Sequence, residues 1–264
     1  MILQKLFVRF LFIFTISVHL VDFPPPLCYT KCDIFETEKE RIMIKAIIFD
    51  LDGTLANTIP EIRKGVNMTM VKLGHPTHSI ESIISFINNG ARHLIRCALP
   101  VEFQSDEAYV DHALNCFNQC YGEVYIQTNT TYDGVRELAE KLHKTYKIGV
   151  LSNKQGPFVE KLAYQLLGDE NCDAAQGVIE GMPPKPHPYL SERIIAALGV
   201  TAEECVMVGD SDVDLLTAKN AGMKHIGVTW GFRSEEFLRE KGVQNFARNT
   251  SELEERIQQL AEME

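Results

Sequence analysis

Residues 46–58 read AIIFDLDGTLANT. Four apolar residues run straight into Asp50, a second acid follows at Asp52, and Gly53 and Thr54 come next. The run has the β-branched character of a strand covered on both faces. A carboxylate at the mouth of such a strand is costly to desolvate unless a cation, a donor or a reaction meets it. The rest of the chain has to supply that partner.

The pattern repeats further on. YKIGVLS (146–152), CVMVGD (205–210) and HIGVT (225–229) are also short and apolar. Amphipathic stretches lie between them, among them GVRELAEKLHKT (134–145) and PYLSERIIAALG (188–199). Strands alternating with helices predict an α/β fold, a doubly wound parallel sheet with a Rossmann-like core. Ligands in such sheets bind beyond the carboxyl ends of the strands, where Asp50, Ser152 and Asp210 are predicted to sit. Between about 60 and 130 the alternation stops and only helical patterns appear, at 60–74, 79–99 and 107–125. This predicts an inserted α-helical cap domain at 60–130, hinged near Thr58–Ile59 and Gln127–Tyr132. The core is then formed by 43–59 and 131–264. A lid of this kind would exclude water from the site.

The 264 residues are 45% hydrophobic and 23% charged, as in an ordinary globular protein, and the formal net charge is −10. That balance argues against a nucleic-acid partner, because phosphate backbones reward clustered Lys and Arg. It leaves room for a small anionic ligand at one locally positive site. Seven cysteines (28, 32, 97, 116, 120, 172 and 205) form no C-x-x-C pair. Cys116 and Cys120 share a helix face, which argues for packing rather than metal, and reduced thiols point to a cytoplasmic protein. Residues 1–42 form an extension outside the catalytic fold. Its apolar run at 6–21 is signal-like, yet Arg9 and His19 interrupt it and it is short for a membrane span. The alternative is a natural start at Met43. Stable membrane association is not expected of the catalytic fold, and the oligomeric state is not legible.

DLDGT (50–54), LSNK (151–154), KPHP (185–188) and GDSDVD (209–214) occur in one order at the ends of the expected elements. As a set they resemble the four motifs of the haloacid dehalogenase-like hydrolase superfamily. That resemblance spans about 43–230 and implies phosphoryl-group hydrolysis with Mg²⁺. Phosphate monoesters hydrolyse very slowly, and an enzyme must supply on the order of 20 kcal/mol of transition-state stabilisation. A carboxylate nucleophile divides the task into two easier steps. Asp50 is the expected nucleophile, and Asp52 the expected general acid and then base. Mg²⁺ favours oxygen donors, with Asp50 and Asp210 as ligands. The resemblance adds the backbone carbonyl of Asp52, and Asp214, four residues after Asp210 and so near it on a helical turn, is expected to support the metal site or hold Lys185. Lys185 is expected to neutralise charge on Asp50 and phosphate, and Ser152, Asn153 and Thr54 to bind phosphoryl oxygens. Taken singly, each has a plainer reading: a turn pair for the first acids, a helix cap for Ser152–Asn153, a solvated loop lysine for Lys185. Only the set separates them from these.

Asp at position 52 disfavours dehalogenase and phosphonate-cleaving branches. INNGARHLIRCALP (87–100) and VTWGFRS (228–234) resemble segments of phosphoglycolate phosphatases, with Asn88 standing where that group usually has glycine. Asn89, Gly90, Ala91 and Arg92 are therefore candidates for meeting a carboxylate-bearing substrate. Arg92 has the equal alternative of a solvated helix residue, and Asn89–Gly90 that of a turn. The expected substrate is a small phosphorylated metabolite, 2-phosphoglycolate first. A β-phosphoglucomutase-like isomerase and a non-catalytic phospholigand-binding protein are the alternatives.

Overall fold

The computed structural model describes residues 43–87, 89–128 and 130–262. The readings of residues 1–42 as an extension, signal or upstream start lie outside the described residues.

Six strands form one parallel sheet, in the order β3-β2-β1-β4-β5-β6. They are β1 (Ala46–Phe49), β2 (Lys147–Gln155), β3 (Ala174–Val178), β4 (Cys205–Gly209), β5 (Lys224–Val228) and β6 (Phe246–Ala247). All four residues of β1 and all five of β4 are buried, as central strands covered on both faces require. The α/β doubly wound class predicted from the alternating pattern is the observed one. Two strands are additions to the four expected. β3 reads AAQGV and β6 only FA, and neither carries the β-branched run that marks a strand in sequence.

The faces of the sheet are separately packed. Ile48, Leu151 and Met207 pack with α7 (Pro188–Leu198) and α8 (Asp212–Ala221), while Ile47, Val150 and Val208 belong to the opposite layer. That second layer includes α5 (Val135–Leu142), α6 (Gly156–Leu167) and α10 (Thr250–Glu262). A short helix, α9 (Glu235–Glu240), follows β5. Alternate residues of each strand thus serve opposite cores, because strand side chains point to opposite faces with a period of two.

Between β1 and β2 the chain forms α1 (Ile59–Lys72), α2 (Ile80–Phe86), α3 (Gly90–Ala98) and α4 (Glu107–Gly122). The helix expected over 79–99 is two helices. Gly90 has φ of +82°, a left-handed conformation that breaks the run before α3. Ile83, Ile95, Val110 and Phe117 of this insert join the same apolar cluster as Ile47 and Val208 of the sheet. The insert is therefore seated on the core rather than packed only on itself. Among the described residues no helix is long and apolar enough to cross a membrane, and none of the cysteines is in a disulfide.

Ile48 is fully buried in the centre of the sheet. Ile48→Ala should lower unfolding free energy by about 2–5 kcal/mol, read from the urea midpoint at unchanged slope.

Candidate active site

The carboxyl ends of β1, β2 and β4 converge, and each delivers a polar group there. Asp50 follows β1, with its backbone N–H donating to Val208 O of β4 at 2.8 Å. Asp210 follows β4 directly, and Ser152 lies within β2 where its pairing with β3 loses register. Gly53 takes φ of +92°, and a Cβ there would lie 2.4 Å from Asp210 Oδ2. A side chain at 53 would push the two acidic loops apart.

Lys185 is the hub of this convergence. Its ammonium donates to Asp50 Oδ1 at 2.9 Å, Asp214 Oδ1 at 2.7 Å and Leu151 O at 3.0 Å. Burial works against its charge, but Asp214 and Asp50 more than offset this and hold it above the ordinary lysine range. Asp214 is completely buried and its second oxygen accepts from Ser211 N at 3.1 Å and Ser211 Oγ at 2.6 Å. It thus closes the capping box of α8 while holding Lys185. Asn153 accepts from Lys185 N at 2.7 Å and donates to Lys185 O at 2.9 Å, so its amide clamps the lysine loop.

Asp210 accepts from Thr54 Oγ1 at 3.3 Å and from Phe232 N at 2.7 Å. Trp230 Nε1 donates to Thr54 O at 3.1 Å, which ties the WGF segment to the first loop. Asp52 points differently. One oxygen, Oδ1, accepts from Thr58 Oγ1 at 2.5 Å and faces Lys154 Nζ at 3.0 Å. The same ammonium donates to Tyr121 Oη, on α4, at 2.8 Å.

Asp50, Asp210 and Asp214 bring ligand oxygens within 4.8 Å of one another. Burial raises the Asp50 carboxyl well above its usual range, although Lys185 opposes the shift. Burial and Asp214 push Asp210 up to about 7. With Asp52, four carboxylates face two ammonium groups, so the ionised site is two charges too negative for its surroundings. An all-oxygen donor set with that excess suits a hard divalent cation. Asp50 and Asp210, at the ends of the neighbouring strands β1 and β4, are the candidates to hold it, while Asp214 engages Lys185 and Ser211.

An inner cavity of about 70 Å³ is lined by Asp50, Asp52, Ser152, Lys154 and Lys185, with Ile62, Leu94 and Phe158 among its apolar walls. Gly90 and Ala91 reach it, whereas Asn89 and Arg92 line a wider outer cleft of about 1130 Å³. Arg92, one of the candidates for meeting the substrate, lies on that outer cleft. Its guanidinium is paired with Glu107, at 2.6 Å, and with Asp111. Both acids lie on α4, one helix over, and they neutralise the cation. The hydroxyl of Thr54 is fully buried against Asp210, and the side-chain amide of Asn153 bonds the Lys185 backbone. Lys154, Tyr121 and Thr58 were not anticipated. Lys154 closes the LSNK motif, so its position was in view; its partner Tyr121 lies 33 residues away and left no local signal.

Three comparisons bear on this geometry. The haloacid dehalogenase-like hydrolase family profile matches residues 44–222. A phosphoglycolate phosphatase of Colwellia psychrerythraea is 31% identical over 205 residues, covering 76% of this chain and 91% of its own length. One from Vibrio parahaemolyticus is 32% identical over 217 residues, covering 80% and 94%. A crystal structure from Lactobacillus delbrueckii subsp. bulgaricus, provisionally assigned as a phosphoglycolate phosphatase, superposes with a TM-score of 0.73 at 29% identity. That match covers 82% of this chain and 99% of the other.

Lys185→Met should destabilise the fold by about 3–5 kcal/mol at pH 8, because it strands buried carboxylates. The Asp50 carboxyl is already raised by burial and loses its opposing cation in the variant. The penalty is therefore present while Asp50 is ionised and shrinks as pH falls and it protonates. Denaturation at pH 8 and pH 5.5 measures the difference; an equal loss at both would contradict the assignment.

Proposed function

Because this chain belongs to the haloacid dehalogenase-like hydrolases, in their phosphoglycolate phosphatase-like branch, and is a phosphoric monoester hydrolase, we propose that it cleaves 2-phosphoglycolate through an aspartyl-phosphate on Asp50 with Mg²⁺. The observation that carries the reading is the pairing of two differently held acids on one small cavity. Asp50 is bonded to Lys185, while Asp52 stands beside it in contact with Lys154.

Asp50 attacks phosphorus as the ester P–O bond breaks, and the departing alkoxide takes a proton from Asp52. Water then attacks the acyl phosphate, giving its proton to Asp52 and returning the Asp50 carboxylate with release of inorganic phosphate. Lys185 stays fixed against Asp50 throughout and offsets the charge carried by phosphate. Ser152, buried to 1% exposure on the cavity wall, offers its hydroxyl to a phosphoryl oxygen. Mg²⁺ held by Asp50, Asp210 and the Asp52 carbonyl would neutralise the phosphate dianion and the excess carboxylate charge.

Two features favour a short substrate. The inner cavity is small, and much of its wall away from the acids is apolar. The relatives named above are phosphoglycolate phosphatases, which supports 2-phosphoglycolate as the first compound to try. The insert 60–130 serves as a cap over the core 43–59 and 131–264, with α3 and α4 forming the roof and hinges at either end. A cytoplasmic setting belongs to the same proposal and is supported by the unpaired cysteines.

Phosphate release from 2-phosphoglycolate should require Mg²⁺ and fall at least about a thousandfold in Asp50→Asn. Full turnover in that variant would remove the covalent route. Supplying glucose 1-phosphate with its bisphosphate should yield no glucose 6-phosphate, and efficient isomerisation would favour a mutase instead. Protons compete with the cation for Asp210, whose carboxyl is raised to about 7. Mg²⁺ should therefore raise the melting temperature more at pH 8 than at pH 6.

A further inference from the structure

We propose that Lys154 and Tyr121 are positioning residues for Asp52: the ammonium fixes one carboxylate oxygen, and a tyrosine supplied by the helical insert fixes the ammonium. The inference rests on the phosphatase reading and extends it to residues outside the acid and lysine set already assigned.

Asp52 is only partly buried, so a short carboxylate there would sample several orientations if left alone. It does not stand alone. Thr58 Oγ1 and Lys154 Nζ both reach Oδ1, at 2.5 and 3.0 Å. Among the described residues Oδ2 has no hydrogen-bond partner, so it is the oxygen left to carry the proton into the cavity. Two donors on a single oxygen select a rotamer, which one donor between both oxygens would not do.

A lysine used only to balance charge would need Asp52 and nothing else. Lys154 is instead gripped a second time, by Tyr121 Oη at 2.8 Å, and its side chain is just 7% exposed. The ammonium also lies 4.7 Å from the centre of the Tyr121 ring. Tyr121 is 1% exposed, on the last turn of α4, stacked with Phe117 at 5.3 Å and edge-on to Phe158 of α6 at 5.3 Å. The phenol is therefore rigidly placed, and Lys154 is the partner its hydroxyl has found. Neighbouring Gln155 repeats the connection, donating to Asn118 Oδ1 of α4 at 2.9 Å. The end of β2 is thus pinned to the insert at two successive residues. Asp52 is aimed by a chain of contacts that runs through α4, and the seat of the insert is part of the proton-transfer geometry.

A positioned proton donor matters when the leaving oxygen is basic and not when it is a good leaving group. 2-Phosphoglycolate expels an alkoxide, which must be protonated as the P–O bond breaks. Acetyl phosphate expels acetate, which leaves with the bond pair and needs no proton. Both give the same phospho-Asp50, whose hydrolysis again needs Asp52 to take a proton from water. Rapid-quench counting of enzyme-bound ³²P from each compound therefore separates the steps.

The wild type should turn over both compounds. Tyr121→Phe should form phosphoenzyme from acetyl phosphate at close to the wild-type rate. Tyr121→Phe and Lys154→Met should then hydrolyse it slowly, so that label accumulates. From 2-phosphoglycolate the same variants should label slowly, with kcat lowered by on the order of 10²-fold for Lys154→Met and KM little changed. If Lys154→Met fails to fold, as judged by circular dichroism, Tyr121→Phe alone decides, because it removes one oxygen and keeps the ring. In Tyr121→Phe, equal slowing of labelling from both compounds would mean a merely structural pair and overturn the proposal, as would wild-type behaviour. A wild type labelled by neither compound would overturn the phosphatase reading itself, and this inference with it.

Discussion

The ammonium of Lys185 holds the site together. It sits 3% exposed between Asp50 from β1, Asp214 from α8 and the backbone carbonyl of Leu151 in β2. Three separate segments of chain meet at one charge. Without it, the end of β1 would carry a desolvated carboxylate beside two more, and burial already drives Asp50 and Asp210 toward protonation. A buried cation between two anions offsets a cost that neither acid could bear alone. The arrangement also fixes geometry, since the Asn153 clamp on the lysine backbone and the Ser211 box around Asp214 leave the ammonium little room to move.

Charge balance around that centre remains incomplete, and the shortfall is where chemistry enters. Two lysines face four carboxylates, leaving a site that attracts a divalent cation. The second lysine, Lys154, reaches the acid that Lys185 does not. Asp50 and Asp52 therefore each have their own ammonium, held in a different way. Asp50 is tied to the core alone, whereas Asp52 is tied through Lys154 to α4 of the insert. The proposed nucleophile is thus a fixture of the sheet, and the proposed proton carrier answers to the helices of the insert.

Apolar packing makes that division possible. One cluster runs from Ile47 and Val208 in the sheet through Phe117 and Tyr121 in the insert. Its continuity sets α4 at hydrogen-bonding distance from the end of β2. The cavity that results has acids and lysines on its floor and Ile62, Leu94 and Phe158 among its walls. Low polarity around the acids strengthens every electrostatic contact within.

Much of this was legible from short-range pattern. The run before Asp50 marked β1, the spacing of apolar segments marked the parallel sheet, and four polar motifs at strand ends marked the convergence. Weak strands such as β3 and β6 escaped because pairing with neighbours, rather than their own residues, makes them strands. What each polar side chain does was harder to foresee. Arg92 pairs with Glu107 and Asp111, and the Thr54 hydroxyl and Asn153 amide hold other site residues, contacts that no local pattern announces.

Sequence alone determined the four central strands, their alternation with helices and the edge at which the acids gather, because periodicity and strand length are local properties of the chain. Only the tertiary structure decided which cation meets which acid. Those pairings join residues as far apart as Asp50 and Lys185, or Tyr121 and Lys154, and depend on how whole layers pack.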